Sequence, residues 1–263
     1  MDPLELTRRE FTRQAGAISR APAFDDPRLI SRIQAALGAH GAGRILDLAC
    51  GPGILAADLA PGASSLVGID VTPEMVERAR ERCHGLGLEG LAFRVAEAEA
   101  LPFSDREFDA VVTRLAVHHF RDPARVLAEV RRVLAHDGVL VLADVVTSEN
   151  APDATLHNAL EQLRDPSHVR MLSPRELRDA VEAADLEVLS EESWEVERSF
   201  EEWAAIVDDE DRTAPLRQVM THLAQAGHQA GIGLREADGT VHFIHSWLLL
   251  RAGPARQPCN SPI

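Results

Sequence analysis

Short apolar runs alternate with longer amphipathic stretches along the first half of the chain. The runs at 44–48, 65–70, 91–95, 108–113 and 139–146 have the length and near-continuous apolarity of strands buried on both faces. Between them, apolar positions recur at helical spacing, most clearly over Pro73 to Cys83. There Thr72 is placed to cap, Pro73 takes the first helical position, and Glu74 and Glu77 suit the positive end of the helix. Two more helices precede the first strand, over 4–18 and 27–39. Leu4, Phe11, Ala15 and Ile18 share a face of one, and Leu29, Ile33, Ala36 and Leu37 a face of the other. Strands and helices in alternation predict an α/β fold built on a parallel, doubly wound sheet.

Past residue 147 the alternation loosens. Helices are expected over 150–164 and 174–184, the second capped by Ser173. Two long strands, 186–196 and 240–250, flank a polar insertion with helices over 200–207 and 216–229, and the last strand is expected antiparallel at or near the sheet edge. Residues 253–263 hold three prolines and read as a flexible tail. Residues 1–252 then make a single domain. Its parts are an N-terminal helical cover (1–40), a ligand-binding core (41–147) and lid insertions at 148–172 and 199–238.

A chain of 263 residues with 45% hydrophobic content can bury one large core. Neither a membrane span nor a charged-then-apolar leader is visible, so a cytoplasmic protein is expected. The net charge of −15, with no dense basic cluster, argues against nucleic acid as a partner. Cys50, Cys83 and Cys259 are odd in number and lack CxxC spacing, and neither they nor His242 and His245 are spaced like metal ligands, so no metal is expected. All 27 basic residues are arginine and tyrosine is absent. Schiff-base chemistry, a P-loop lysine and a phenolic acid or base are thereby excluded.

Candidate chemistry concentrates at Ile45 to Gly53, where an apolar strand enters a glycine turn with Asp47 set inside it. Gly51 and Gly53 permit a tight turn and close approach to a ligand, and Asp47 lies near the carboxyl end of the strand, where α/β sheets bind ligands. Gly51, Gly53 and Ala56 also satisfy G-x-G-x-x-A, with Asp70 ending the next strand, where a carboxylate can accept from both hydroxyls of a ribose. Those features alone leave a nicotinamide dinucleotide and other adenosine cofactors open. Asp47 favours a ligand bearing an ammonium over a pyrophosphate.

Four segments carry a family resemblance: Ile45 to Gly53; Val67-Gly68-Ile69-Asp70 with Thr72-Pro73-Glu74-Met75; Leu101-Pro102-Phe103 running to Phe108-Asp109-Ala110-Val111-Val112; and Val133-Leu134 to Asp144. Together they resemble class I S-adenosylmethionine-dependent methyltransferases, in the branch of the ubiquinone and menaquinone C-methyltransferases. The resemblance implies a Rossmann-like, seven-stranded sheet with its last strand antiparallel, plus helical lid segments. It implies S-adenosyl-L-methionine as cofactor, and methylation at oxygen or carbon of a small, partly apolar acceptor of the kind handled in secondary metabolism. Asp47 and the backbone of Ala49, Gly51 and Gly53 would hold the methionine end. Asp70, with Val71 beside it, would hold the ribose, Met75 would pack on the adenine face, Glu97 and Ala98 would meet the adenine edge, and the Arg114 backbone would lie beside the methionine group. Two segments depart from the family pattern: Ala96-Glu97 stands where Gly-Asp is usual, and Ala135-His136-Asp137-Gly138 where Pro-Gly-Gly is.

A sulfonium is already an activated donor, so the protein's main task is alignment. An acceptor that must lose a proton needs a base, and without lysine or tyrosine the candidates are histidines or carboxylates. His118 and His119 follow the fourth strand, and His168 sits on a lid segment. Two other readings use the same residues. One is an NAD-dependent oxidoreductase on the glycine turn; the other is a non-methylating binding or cyclase member of the methyltransferase fold. A homo-oligomer is compatible with either.

Overall fold

The structure, a computed structural model, describes residues 3–21 and 26–255. Its strands are β1 (Arg44–Leu48), β2 (Ser65–Asp70), β3 (Ala92–Val95), β4 (Phe108–Arg114), β5 (Leu134–Val146), β6 (Leu186–Ser199), β7 (Arg235–Ala237) and β8 (Thr240–Pro254). The helices are α1 (Pro3–Ile18), α2 (Pro27–Leu37), α3 (Ile54–Leu59), α4 (Pro73–Gly85), α5 (Pro123–Val133), α6 (Ala151–Arg164), α7 (Pro174–Ala183), α8 (Phe200–Ala205) and α9 (Glu210–Gln225). Seven strands run in the order β3-β2-β1-β4-β5-β8-β6, with β7 paired to β8 outside that path. β1 to β5 are parallel, and β8 lies antiparallel to both β5 and β6.

The chain leaves β1 for β2 and β3 on one side and returns to β4 and β5 on the other. That reversal opens a crevice at the carboxyl ends of β1 and β4, the position where doubly wound sheets take ligands. Period-two alternation sends successive side chains to opposite faces. Leu46 and Leu48 of β1 join Val111, Leu140 and Leu142 under α5 and α7, while Ile45 joins Val112 and Val141 under α2, α3 and α4. Asp47 shares the parity of Ile45, so a carboxylate enters an otherwise apolar layer.

Local signals place most elements as the spacing predicts, with informative differences. Ser173 caps α7 in a full capping box with Glu176. Thr72 occupies the N-cap position of α4, but its hydroxyl makes no cap hydrogen bond; the Thr72 N–H donates instead to Asp70 Oδ1 at 2.8 Å. α9 begins earlier than apolar spacing suggests because Asp209 caps it, accepting from Arg212 N–H, and the helix continues through Pro215. It ends before Gly227, whose φ of 74° leaves the helical region. β7 and β8 meet at Asp238-Gly239, both at positive φ, an Asp-Gly hairpin signal that the strand spacing alone does not disclose. Gly253 and Pro254 extend β8 and are no tail; residues 256–263 lie outside the described residues.

The segments expected as lid divide. α2 packs on the sheet through Leu29, Ile33 and Leu37. α1 instead lies on α4, where Ala15 and Ile18 bury Met75. The insertion after β6 has its own core, in which Leu160, Phe200, Trp203, Leu216, Met220 and Phe243 pack together. That cluster spans α6, α8, α9 and β8, so the cover over the crevice is a packed layer.

Candidate active site

One continuous cavity lies over the carboxyl ends of β1, β2 and β4, roofed by α1, α6 and α8. Asp47, Ala49, Gly51, Asp70, Val71, Met75, Ala98, Arg114, His118, His119 and His168 all line it. Two residues expected there do not. Gly53 is buried behind the turn, where its φ of 73° and the nearness of Ala79 on α4 demand glycine for helix packing. Glu97 is partly exposed and faces Arg8 at 3.6 Å and Arg121 at 3.8 Å; Glu99, two positions on, lines the cavity instead.

The turn after β1 is built for close approach. Ala49 and Gly51 both have positive φ, and no atom lies within 4 Å of where a Gly51 Cβ would stand. The Gly51 N–H donates to Asp70 Oδ2 at 3.0 Å, so the acid ending β2 braces the turn while keeping further lone pairs for the cavity. Burial raises the Asp70 carboxyl, against the backbone N–H groups of Thr72 and Gly51.

Asp47 is 1% exposed and its Oδ2 has no hydrogen-bond partner. Burial pushes its carboxyl up to about 7, an effect that Arg114 opposes and Asp70 reinforces. A buried carboxylate left this way is costly until a cation arrives. The cavity it faces therefore suits a ligand with a positive group at that point.

The three candidate histidines come together from separate segments. Ring centroids of His118 and His119 are 4.3 Å apart, those of His118 and His168 5.5 Å, and those of His119 and His168 6.2 Å. Asp144, near the end of β5, holds His118 with its Oδ1 2.7 Å from Nδ1, and its Oδ2 accepts the Val117 N–H. His119 Nδ1 lies 3.0 Å from the Ser167 carbonyl, and His168 Nε2 lies 2.9 Å from Asn158 Oδ1. Phe11 of α1 closes edge-on against His119 at 4.8 Å. No residue role was assigned to Asp144, Asn158 or Ser167 from the sequence, since nothing in local spacing ties them to the histidines they orient.

The three imidazoles titrate differently. Burial lowers His118, but the charge and hydrogen bond of Asp144 outweigh it and the net shift is upward. Burial and the neighbouring His118 push His119 down to about 4 and His168 down to about 3. The site thus holds one imidazole with enhanced basicity beside two that stay neutral.

A family model described as a methyltransferase domain matches residues 46–142. The uncharacterised methyltransferase YcgJ of Bacillus subtilis is 35% identical over 191 residues, covering 71% of this chain and 73% of that protein. Its crystal structure superposes with a TM-score of 0.82 at 27% identity, covering 88% of this chain and 100% of that one. The ubiquinone/menaquinone biosynthesis C-methyltransferase of Citrifermentans bemidjiense is 38% identical over 115 residues, 42% of this chain and 49% of that protein, so the match spans about half the length of that relative. The crystal structure of the cyclase SpnF shares the fold, with a TM-score of 0.63 at 21% identity over 87% of this chain and 82% of that one.

Proposed function

The chain belongs to the S-adenosylmethionine-dependent methyltransferases, and from that premise we propose that it methylates a small, partly apolar molecule at oxygen or carbon, with His118 as the base. The residues present fit the cofactor. The unpartnered Oδ2 of Asp47 suits its ammonium, the open side of Gly51 admits the methionine end, and Asp70 retains lone pairs for the ribose hydroxyls. When bound, the cofactor supplies a sulfonium methyl group that needs no further activation.

The observation that carries the reading is the His118–Asp144 pair opening on the same cavity as Asp47 and Asp70. With Nδ1–H donating to Asp144, the His118 Nε2 is left to take a proton from an acceptor hydroxyl or acidic carbon, and Asp144 stabilises the imidazolium that results. His119 and His168 remain uncharged near neutral pH, so they add polarity without placing more positive charge beside a sulfonium. Leu4, Phe11, Met171, Ile206 and Trp247 give the cavity apolar walls, which supports an acceptor with an apolar body. The net charge of −15 supports a small molecule over a nucleic acid.

Calorimetry with S-adenosylhomocysteine should give saturable binding. A panel of phenols, enols and quinols, screened for S-adenosylhomocysteine release, should contain a turned-over acceptor. Folded protein that binds neither the cofactor nor its demethylated product would sink the proposal.

A further inference from the structure

A second cluster of ligating side chains lies in the packed cover, apart from the His118–His119–His168 group. His157 and Glu161 stand four residues apart on α6 and so share one face of the helix. Strand β8 brings His245 against them. The Nε2 of His245 lies 3.3 Å, and the Nε2 of His157 3.9 Å, from the same Glu161 Oε1. All three residues are more than nine-tenths buried, and one ligand atom from each falls within 4.8 Å of the others.

Among the described residues, His157 Nε2 has no hydrogen-bond partner, and His245 Nε2 faces only the Glu161 carboxylate, out of hydrogen-bond alignment. A buried ring nitrogen without a well-aligned partner is costly, and here two of them converge on one carboxylate oxygen. A tetrahedral ion about 2.1 Å from nitrogen and oxygen ligands needs those atoms about 3.4 Å apart; the two separations from Glu161 Oε1, 3.3 and 3.9 Å, bracket that value, and the group as a whole lies within 4.8 Å, so a small inward shift of the imidazoles closes the site. We propose that His157, Glu161 and His245 form a binding site for a divalent first-row transition metal, with zinc as the diagnostic ion.

The surroundings orient the donors. Thr147 Oγ1 lies 3.3 Å from His157 Nδ1, on the ring side away from Glu161. The Glu161 Oε2 accepts two bonds from Arg164, at 2.8 and 3.1 Å, and Oε1 accepts from Trp203 Nε1 at 3.1 Å, which leaves an Oε1 lone pair toward the histidines. Burial pushes His157 down to about 4 and also lowers His245, so both imidazoles are in the neutral, ligating form at neutral pH. Burial would raise Glu161, but Arg164 and His245 hold it well below its usual value, so it is ionised. Two imidazoles and one carboxylate suit zinc or iron(II) rather than calcium or magnesium. The guanidinium of Arg164, 2.8 Å from Glu161 Oε2, reduces the pull of the carboxylate on a dication. Glu161 and His245 also line the cavity, so an ion held by the three side chains would be reachable from it by an oxygen donor.

The site does not depend on methyl transfer, and its test separates the two. Full-length protein, stripped with chelator, is titrated with zinc by calorimetry and with cobalt(II) by absorption, with S-adenosylhomocysteine binding measured in parallel. One equivalent of zinc should bind, the cobalt spectrum should lack a thiolate charge-transfer band, and His157→Gln or His245→Gln should weaken zinc by more than about 100-fold. Glu161→Gln should do the same, while His84→Ala, at an exposed position on α4, should leave binding unchanged. No stoichiometric zinc binding by protein that still binds S-adenosylhomocysteine overturns the proposal. So does zinc affinity that survives in both histidine variants, folding being checked by circular dichroism.

Discussion

The Nδ1 atom of His118 lies 2.7 Å from Oδ1 of Asp144, in a buried pair formed by residues 26 positions apart. Because Asp144 lifts His118 above the ordinary histidine value of 6.5, the free base accumulates only as pH rises through that higher value. The rate with an ionisable acceptor should therefore climb with pH along a limb above 6.5. Asp144→Asn removes the lifting charge and should shift the limb to lower pH while lowering the plateau. His118→Ala should cost about 10²–10⁴ in rate. A pH–rate profile with the same limb in wild type and Asp144→Asn would contradict the assignment.

Asp47 makes the ligand-free protein pH-sensitive. Its folded pKa of about 7 exceeds the ordinary aspartate value of 3.8, so the unfolded chain releases the proton first. The associated stability is fully present below the ordinary value and is lost as pH rises through about 7, amounting to at most about 4 kcal/mol. Asp47→Asn does not titrate, so thermal melts should show a higher Tm than wild type at pH 8 without ligand. The same variant should bind S-adenosylhomocysteine about 10-fold or more weakly, since it loses a charged hydrogen bond.

The two turn glycines should behave differently on substitution by alanine. A Cβ at Gly53 would stand 2.8 Å from the Ala79 Cβ and 2.9 Å from its Cα, and the backbone is at positive φ. Gly53→Ala should cost about 2–4 kcal/mol, from overpacking and left-handed strain together. Gly51→Ala meets no atom within 4 Å and should cost only about 1–2 kcal/mol of strain. Its larger effect should be on cofactor affinity, because the methyl would point into the approach. Denaturant melts and calorimetry separate the two outcomes.

Asp70→Ala should weaken cofactor binding by about 1.5–3 kcal/mol for each charged hydrogen bond lost. It should also loosen the ligand-free turn, because the Gly51 and Thr72 N–H groups lose their acceptor. Amide exchange at those two positions should quicken before any ligand is added. Unchanged exchange would mean that the acid does not brace the turn.

Asp47, Asp70 and the Ile45–Gly53 turn were legible because strand, turn and acid lie within one short stretch, and local sterics dictate its shape. The pair His118 and His119 was legible for a related reason: it follows the strand whose end must open on the crevice. The direction that Glu97 takes was not legible, because it depends on Arg8 and Arg121, which approach from α1 and from the loop before α5. Half of the second cluster stood in the sequence as the His157 and Glu161 spacing. Its other half, His245, carried no signal, since periodicity cannot say which residue of an edge-region strand faces which helix.

By itself the sequence determined the alternating α/β core, the glycine turn and the two acids, Asp47 and Asp70, at the carboxyl ends of β1 and β2. Those features arise from hydrophobic periodicity and backbone sterics, which act over a few neighbouring residues. Only the tertiary structure decided which basic and acidic groups share a cavity. The antiparallel return of β8 and the packing of α6 over the crevice bring His245 to Glu161, and the parallel run of β5 beside β4 brings Asp144 to His118. Burial then set their charges, because a group's proton affinity depends on the solvent it loses and the partners it gains, neither of which is a property of local sequence.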